Sequence, residues 1–195
     1  MGRLNGKTAL VVGAAGKDNM AQVIARRLTA EGARVAVAGR KADALSAFAD
    51  EIGGVAVACD MTDQQSINMA VSDTEAALGG VDIAINATGW GLLKPFLETT
   101  QDDLDAMYAL QLRGPFQFFQ ALIPAMERRG GGSIIQISSA TATIMFHDHA
   151  AYMATKAGTD HLVRTVANEF GAMGIRANSV SPGITETPMT ADAAA

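Results

Sequence analysis

Cysteine is nearly absent from this 195-residue chain: Cys59 is the only one, so no internal disulfide can form. A lone thiol with apolar neighbours reads as a small core residue, and such a chain reads as cytoplasmic. Positive charge is not in excess. Fifteen Lys and Arg face twenty Asp and Glu, a net charge of -5, which leaves no basic stripe for nucleic acid. Long apolar runs are missing as well. None approaches the roughly 20 residues of a membrane span, and the first residues lack the apolar stretch of a signal peptide. The chain starts Met-Gly, but Gly6 breaks the myristoylation pattern. A soluble protein with no membrane partner is expected. Histidine is scarce too. His147-Asp148-His149 has no third ligand at a sensible spacing, so no metal is expected, and these side chains read as pocket rim or interface.

What is abundant is apolar surface, at 49% of the residues. That is enough for one large core and excludes global disorder, and a single domain over residues 1–195 is expected. The ten Met, among them Met145, Met153 and Met189, read as core or pocket filler.

Short runs rich in Val, Ile and Ala recur at 8–12, 34–38, 55–59, 83–85, 133–137 and 176–180. Most lack strict alternation, as in strands buried on both faces of a parallel sheet. Segments of helical length separate them at 21–31, 41–51, 63–78, 102–129 and 150–173, several ending at glycine. Pro115 and Pro124 fall inside the fourth segment, which should kink or end late. Strict β-α alternation predicts an α/β fold: a doubly wound, Rossmann-like parallel sheet of about six strands with helices on both faces.

Gly13-Ala14-Ala15-Gly16-Lys17-Asp18-Asn19-Met20-Ala21 follows the first strand and opens the first helix. Small residues let backbone approach a pyrophosphate, and the N–H groups of the helix start favour the anion. Asp18 or Asn19 can cap that helix. A Gly-rich turn that binds nothing reads the same way. The second strand ends Ala38-Gly39-Arg40-Lys41, with no acid to hold the ribose hydroxyls of NAD. Arg40 can pair with a 2′-phosphate, which points to NADP(H) in preference to NAD(H). The alternative is a solvated basic pair.

Tyr152-Met-Ala-Thr-Lys156 opens the last long helix, and i, i+4 spacing puts phenol and ammonium on one face. A neighbouring ammonium lowers the pKa of a phenol and suits it to proton exchange with a carbonyl or alcohol oxygen. Ser138-Ser139 ends the strand before this helix, where a doubly wound cleft opens.

Taken together and in order, these segments resemble the short-chain dehydrogenase/reductase family over nearly the entire chain. Gly13, Ala15, Gly16, Asn19 and Met20 lie in the family's phosphate loop, and Cys59-Asp60-Met61-Thr62 is similar to its D-[VL]-T segment. Asn86-Ala87-Thr88-Gly89 is similar to N-N-A-G, and Ser181-Pro182-Gly183-Ile184-Thr185-Glu186-Thr187 to the run lining nicotinamide. The resemblance implies that Ser139, Tyr152 and Lys156 are catalytic. Tyr152 would exchange the proton, Ser139 would orient the substrate oxygen, and Lys156 would hold the nicotinamide ribose and depress the Tyr152 pKa. Arg40, Asp60, Met61, Asn86, Ala87, Gly89, Pro182, Gly183, Ile184 and Thr187 would join Tyr152 and Lys156 around the cofactor. The implied reaction is hydride transfer between NADP(H) and a ketone or secondary alcohol, in a homodimer or homotetramer built on the helices of Gln111 and Tyr152.

Four departures qualify this. The glycine loop is two residues longer than usual, closer to the enoyl-reductase branch, although the Tyr152–Lys156 spacing is not that branch's. Gln111 stands where the family has a catalytic Asn that anchors a water. Ala87 replaces the second Asn of N-N-A-G. The family's substrate-covering C-terminal region does not follow residue 187 in the expected way. A dinucleotide-binding or regulatory module without turnover is therefore the alternative, with enoyl-thioester reduction behind it. Trp90 and Phe96 could face substrate or anchor their loop.

Overall fold

A computed structural model describes residues 2–187. Its centre is a six-stranded parallel sheet formed by β1 (Thr8–Val12), β2 (Arg34–Gly39), β3 (Val55–Ala58), β4 (Ile83–Asn86), β5 (Gly132–Ile137) and β6 (Ile175–Val180). The order across the sheet is β3-β2-β1-β4-β5-β6. The chain runs outward one way from β1 to β3, then returns to the other side of β1 with β4. The reversal leaves a crevice over the carboxyl ends of β1 and β4, as expected for the doubly wound class.

β1 shows why the strand runs read as apolar throughout. All five of its residues are buried. Successive side chains point to opposite faces. Leu10 and Val12 join one core with Ile67, Val71, Phe118, Phe119, Leu122 and Val163. Ala9 and Val11 join the other with Ala21, Ala25, Leu45, Phe48 and Ile85. The first core is roofed by α3 (Gln64–Leu78), α5 (Gly114–Arg128) and α6 (Ala150–Phe170), the second by α1 (Met20–Ala30) and α2 (Ala42–Ile52).

The helix boundaries follow local chemistry. Asn19 caps α1 by accepting from the Gln22 N–H at 3.0 Å, and Asp63 caps α3 by accepting from that of Gln65 at 2.9 Å. Gly79, at φ 84°, ends α3 in the left-handed conformation that favours glycine.

The long fourth segment departs from a single kinked helix. It consists of α4 (Gln101–Tyr108), a π turn over Ala109–Arg113, and α5. Thr100 and Asp103 form a capping box that starts α4. Pro115 falls at the start of α5, where a missing N–H is least costly. Its absent N–H nonetheless deprives the Gln111 carbonyl of its α-helical donor. The Thr159 hydroxyl of α6 donates to that carbonyl instead. Gly114 lets the start of α5 press on the segment after β3, since a Cβ there would stand 2.2 Å from the Met61 carbonyl oxygen. Pro124 is carried inside α5. No helix among the described residues is long and apolar enough to cross a membrane.

Candidate active site

A cleft of about 470 Å³ lies over the carboxyl ends of the strands. One end is built from Gly13, Ala15, Gly16, Asn19, Met20, Arg40, Asp60 and Met61, the other from Ser139, Tyr152 and Lys156, with Ala87, Gly89, Pro182, Gly183 and Thr187 also on its walls. These are sequence-expected positions brought together from separate loops.

At the first end, backbone is exposed because side chains are small. Gly13 has φ 104°, and a Cβ there would stand 3.0 Å from the Ala87 carbonyl carbon and oxygen. A Cβ on Gly39 would stand 3.0 Å from that of Ala15. Two side chains clasp the loop. Asn19 Nδ2 donates to the Gly13 carbonyl at 2.7 Å, and Gln22 Nε2 to the Ala14 carbonyl at 3.0 Å. The amino end of α1 thus meets a glycine-lined floor, a surface that accepts an anion at close range. Asp60 Oδ1 accepts from the N–H and hydroxyl of Thr62 at 2.9 and 2.7 Å. Those bonds, with some help from Arg40, hold its carboxyl below the usual range despite partial burial. Lys17 and Lys41 line this end beside Arg40. A dinucleotide fits this floor: close-approach backbone, a helix amino end, one carboxylate and three cations.

At the other end, Lys156 is only 4% exposed. Its Nζ donates to the Ile137 carbonyl, the last of β5, at 3.0 Å. Burial pushes the Lys156 pKa down to about 8, with Asp160 pulling weakly the other way. Lys156 Nζ lies 5.5 Å from the centre of the Tyr152 ring. The Tyr152 pKa is raised, not depressed: burial of the phenol outweighs its hydrogen bond with Ser139. The expected depression by Lys156 is not realised: its Nζ donates to Ile137, and burial of the phenol sets the direction. Ser139 Oγ also pairs with Thr141 Oγ1 at 2.9 Å and accepts from the Thr141 N–H at 3.2 Å.

Three expected residues stand elsewhere. Asn86 is buried at 1% exposure beneath the cleft floor. It donates to Gln136 Oε1 at 3.0 Å and accepts from the N–H and hydroxyl of Thr88, so it shapes the floor through Thr88. Ile184 is 91% exposed and off the cleft wall. Gln111 is buried behind the wall, with Nε2 2.8 Å from Met107 Sδ and no hydrogen-bond partner for Oε1 among the described residues. Oε1 and Lys156 Nζ nevertheless converge on Gly89, 3.0 and 3.5 Å from where its Cβ would stand. Phe96 is 74% exposed, and neither it nor Trp90 lines the cleft. Cys59 packs in the core with its thiol pushed up to about 12 by burial, and its backbone region edges the cleft. Met189 lies outside the described residues. No group of three or more His, Cys, Asp or Glu among the described residues is placed to hold a metal.

Lys17, Lys41, Thr88, Leu110 and Ser138 line the cleft without having been singled out for it. For Thr88 and Ser138 the signal was available, since each lies one or two residues past a strand's carboxyl end.

Comparison with known proteins agrees with this geometry. A family model described as enoyl-(acyl carrier protein) reductase matches residues 13–195. D-threitol dehydrogenase of Mycolicibacterium smegmatis is 35% identical over 192 residues, 96% of this chain and 73% of that protein. The 7alpha-hydroxysteroid dehydrogenase of Escherichia coli K12 is 36% identical over 186 residues, 93% of this chain and 72% of that one. The crystal structure of a short-chain type dehydrogenase/reductase from Mycobacterium marinum superposes with a TM-score of 0.91 at 34% identity, covering 98% of this chain and 78% of that one.

Burial of Lys156 carries a stability cost. A drop from 10.5 to about 8 corresponds to roughly 3 kcal/mol at pH values below 8. Between pH 8 and 10.5 the unfolded chain binds the extra proton, so the cost fades as pH rises through that window. Lys156→Met is expected to raise the melting temperature of the ligand-free protein by about 5 °C at pH 7. The gain should shrink toward pH 10, as calorimetry at several pH values would show.

Proposed function

Because the chain belongs to the short-chain dehydrogenase/reductase family, we propose that it is an oxidoreductase exchanging hydride between NADP(H) and a ketone or secondary alcohol. The observation that carries this reading is the meeting of Ser139, Tyr152 and Lys156 at one end of a glycine-floored cleft. The nicotinamide supplies or accepts the hydride when bound. The protein's part is proton management and orientation. The Tyr152 hydroxyl holds its proton at neutral pH, as an acid toward a carbonyl oxygen must. Ser139 Oγ sits beside it and offers a second contact to that oxygen. Lys156, fixed by Ile137, keeps donors free for ribose hydroxyls and places a cation under the phenol ring. Gln111 Oε1 faces the same glycine, Gly89, as Lys156 Nζ, without a hydrogen bond of its own among the described residues.

NADP(H) preference rests on Arg40, with Lys17 and Lys41 beside it, at a β2 end that carries no acid. The enoyl-thioester reading is favoured by the loop length and by the family model's description. The four-residue step from Tyr152 to Lys156 favours the carbonyl reading.

A homodimer or homotetramer fits the outer face of α4, α5 and α6. There Tyr108, Leu112, Phe116, Gln117 and Gln120 line a groove with Leu162, and Tyr108 and Phe116 are about half exposed. Cytoplasmic residence accords with the single buried thiol.

NADPH oxidation should be detected with members of a ketone panel and not with a crotonyl thioester. Tyr152→Phe should lower kcat about 100-fold or more while the fold is kept; a variant as active as wild type would end the assignment. Arg40→Ala should weaken NADPH binding about ten-fold and leave NADH binding nearly unchanged, as read by calorimetry. Light scattering should find a dimer or tetramer, and Phe116→Asp should reduce it to a monomer.

A further inference from the structure

His149 sits at the N-cap of α6, yet its side chain does not cap the helix. The imidazole does two other things. Its ring lies against the Tyr152 ring, with centroids 4.3 Å apart and planes inclined by 32°. Its Nδ1 is 2.7 Å from the Leu92 carbonyl oxygen. A carbonyl only accepts, so Nδ1 carries the hydrogen and this contact fixes the tautomer and the ring plane. The spacing 149, 152, 156 places imidazole, phenol and amine along one face of the helix start. The phenol ring is thus held between His149 at 4.3 Å and Lys156 Nζ at 5.5 Å.

The Leu92 contact joins this arrangement to the segment after β4. A second bond joins the same two segments in the reverse direction, from the Lys94 N–H to the Asp148 carbonyl at 2.7 Å. Lys94 in turn pairs with Asp103 of α4 at 2.6 Å. The segment that continues the cleft wall from Gly89 is therefore pinned to the residues just before Tyr152, and the imidazole is the pin that also touches the phenol. An offset ring contact of this kind restricts both rotation and tilt of the ring it covers.

We propose that His149 is a positioning residue for Tyr152. Through its ring contact, with the Leu92 bond as a secondary tether, it fixes the phenol ring plane so that the hydroxyl stays between Ser139 and the substrate oxygen. The inference rests on Tyr152 being the acid, as assigned above. Proton transfer is steeply sensitive to donor placement, so loosening the ring should act on turnover and not on cofactor affinity.

The two contacts can be separated. His149→Phe keeps a ring on Tyr152 and loses the bond to Leu92, while His149→Asn keeps a donor and loses the ring. His149→Ala loses both. The expected result is a fall in kcat of about ten-fold for His149→Ala and His149→Asn, with NADPH affinity unchanged and with kcat within about three-fold of wild type in His149→Phe. Wild-type kcat in His149→Ala would overturn the proposal. So would equal losses in the Phe and Asn variants, or loss of NADPH binding in step with turnover. If His149→Ala does not fold, the Phe and Asn pair decides alone: Asn more active than Phe overturns it.

A readout without turnover separates this proposal from the assignment beneath it. The chain has two tyrosines, so 13C labelling at the phenol carbon gives two resonances, assigned with Tyr152→Phe. His149→Ala should shift the Tyr152 signal and leave that of Tyr108 in place. A Tyr152 signal that does not move overturns the proposal even if no substrate is ever turned over.

Discussion

A buried amine organises this molecule. Lys156 lines the cleft on a helix that packs into the core, so its charge is taken out of water. The nearest compensation is the Ile137 carbonyl at the end of β5, which Lys156 shares with the Gln136 side-chain amide. That bond joins the end of β5 to α6, the two elements between which Ser139 lies beside Tyr152. Ser138 N–H in turn donates to the Val180 carbonyl, and Ala140 N–H to that of Pro182, so the turn out of β5 is braced by the strand next to it. A group that is costly where it stands is therefore surrounded by contacts that leave it no alternative position.

The cofactor end obeys a different constraint, close approach. Gly13 and Gly39 lie where a Cβ would meet the Ala87 backbone or the Ala15 methyl. Asn19 and Gln22 hold the loop in that shape. The extra loop length leaves this floor intact, because Asp18 takes a positive φ of 53° and its N–H donates to Gln22 Oε1. The residues that lengthen the loop are thus used to turn it.

Much of this was legible in the residues. Apolar runs with glycine stops gave about six strands, because strands buried on both faces need no alternation to be recognised. Ser139, Tyr152 and Lys156 could be read because i, i+4 spacing and a strand end are local facts. Other features were not legible for equally physical reasons. Asn86 bonds to Gln136, fifty residues away, and no local pattern announces that its amide turns down into the sheet. The rise in the Tyr152 pKa depends on how deeply the ring is buried, which spacing does not give. His149 belonged to a triplet read as pocket rim or interface, while its actual neighbour was visible three residues along the helix.

Residues 109–113 offer a last lesson, in angular register. Tyr108, Leu112, Phe116 and Gln120 all line one outer groove, each four residues from the next. On an ideal α-helix that step overshoots a turn by about 40°, and the row would wind away from any flat surface. The π turn advances less per residue and absorbs the overshoot between Tyr108 and Phe116. The same widened turn aims Gln111 at the back of Gly89. Inner wall and outer face thus share one phase adjustment, so no residue can be removed from this stretch to suit one surface without rotating the other.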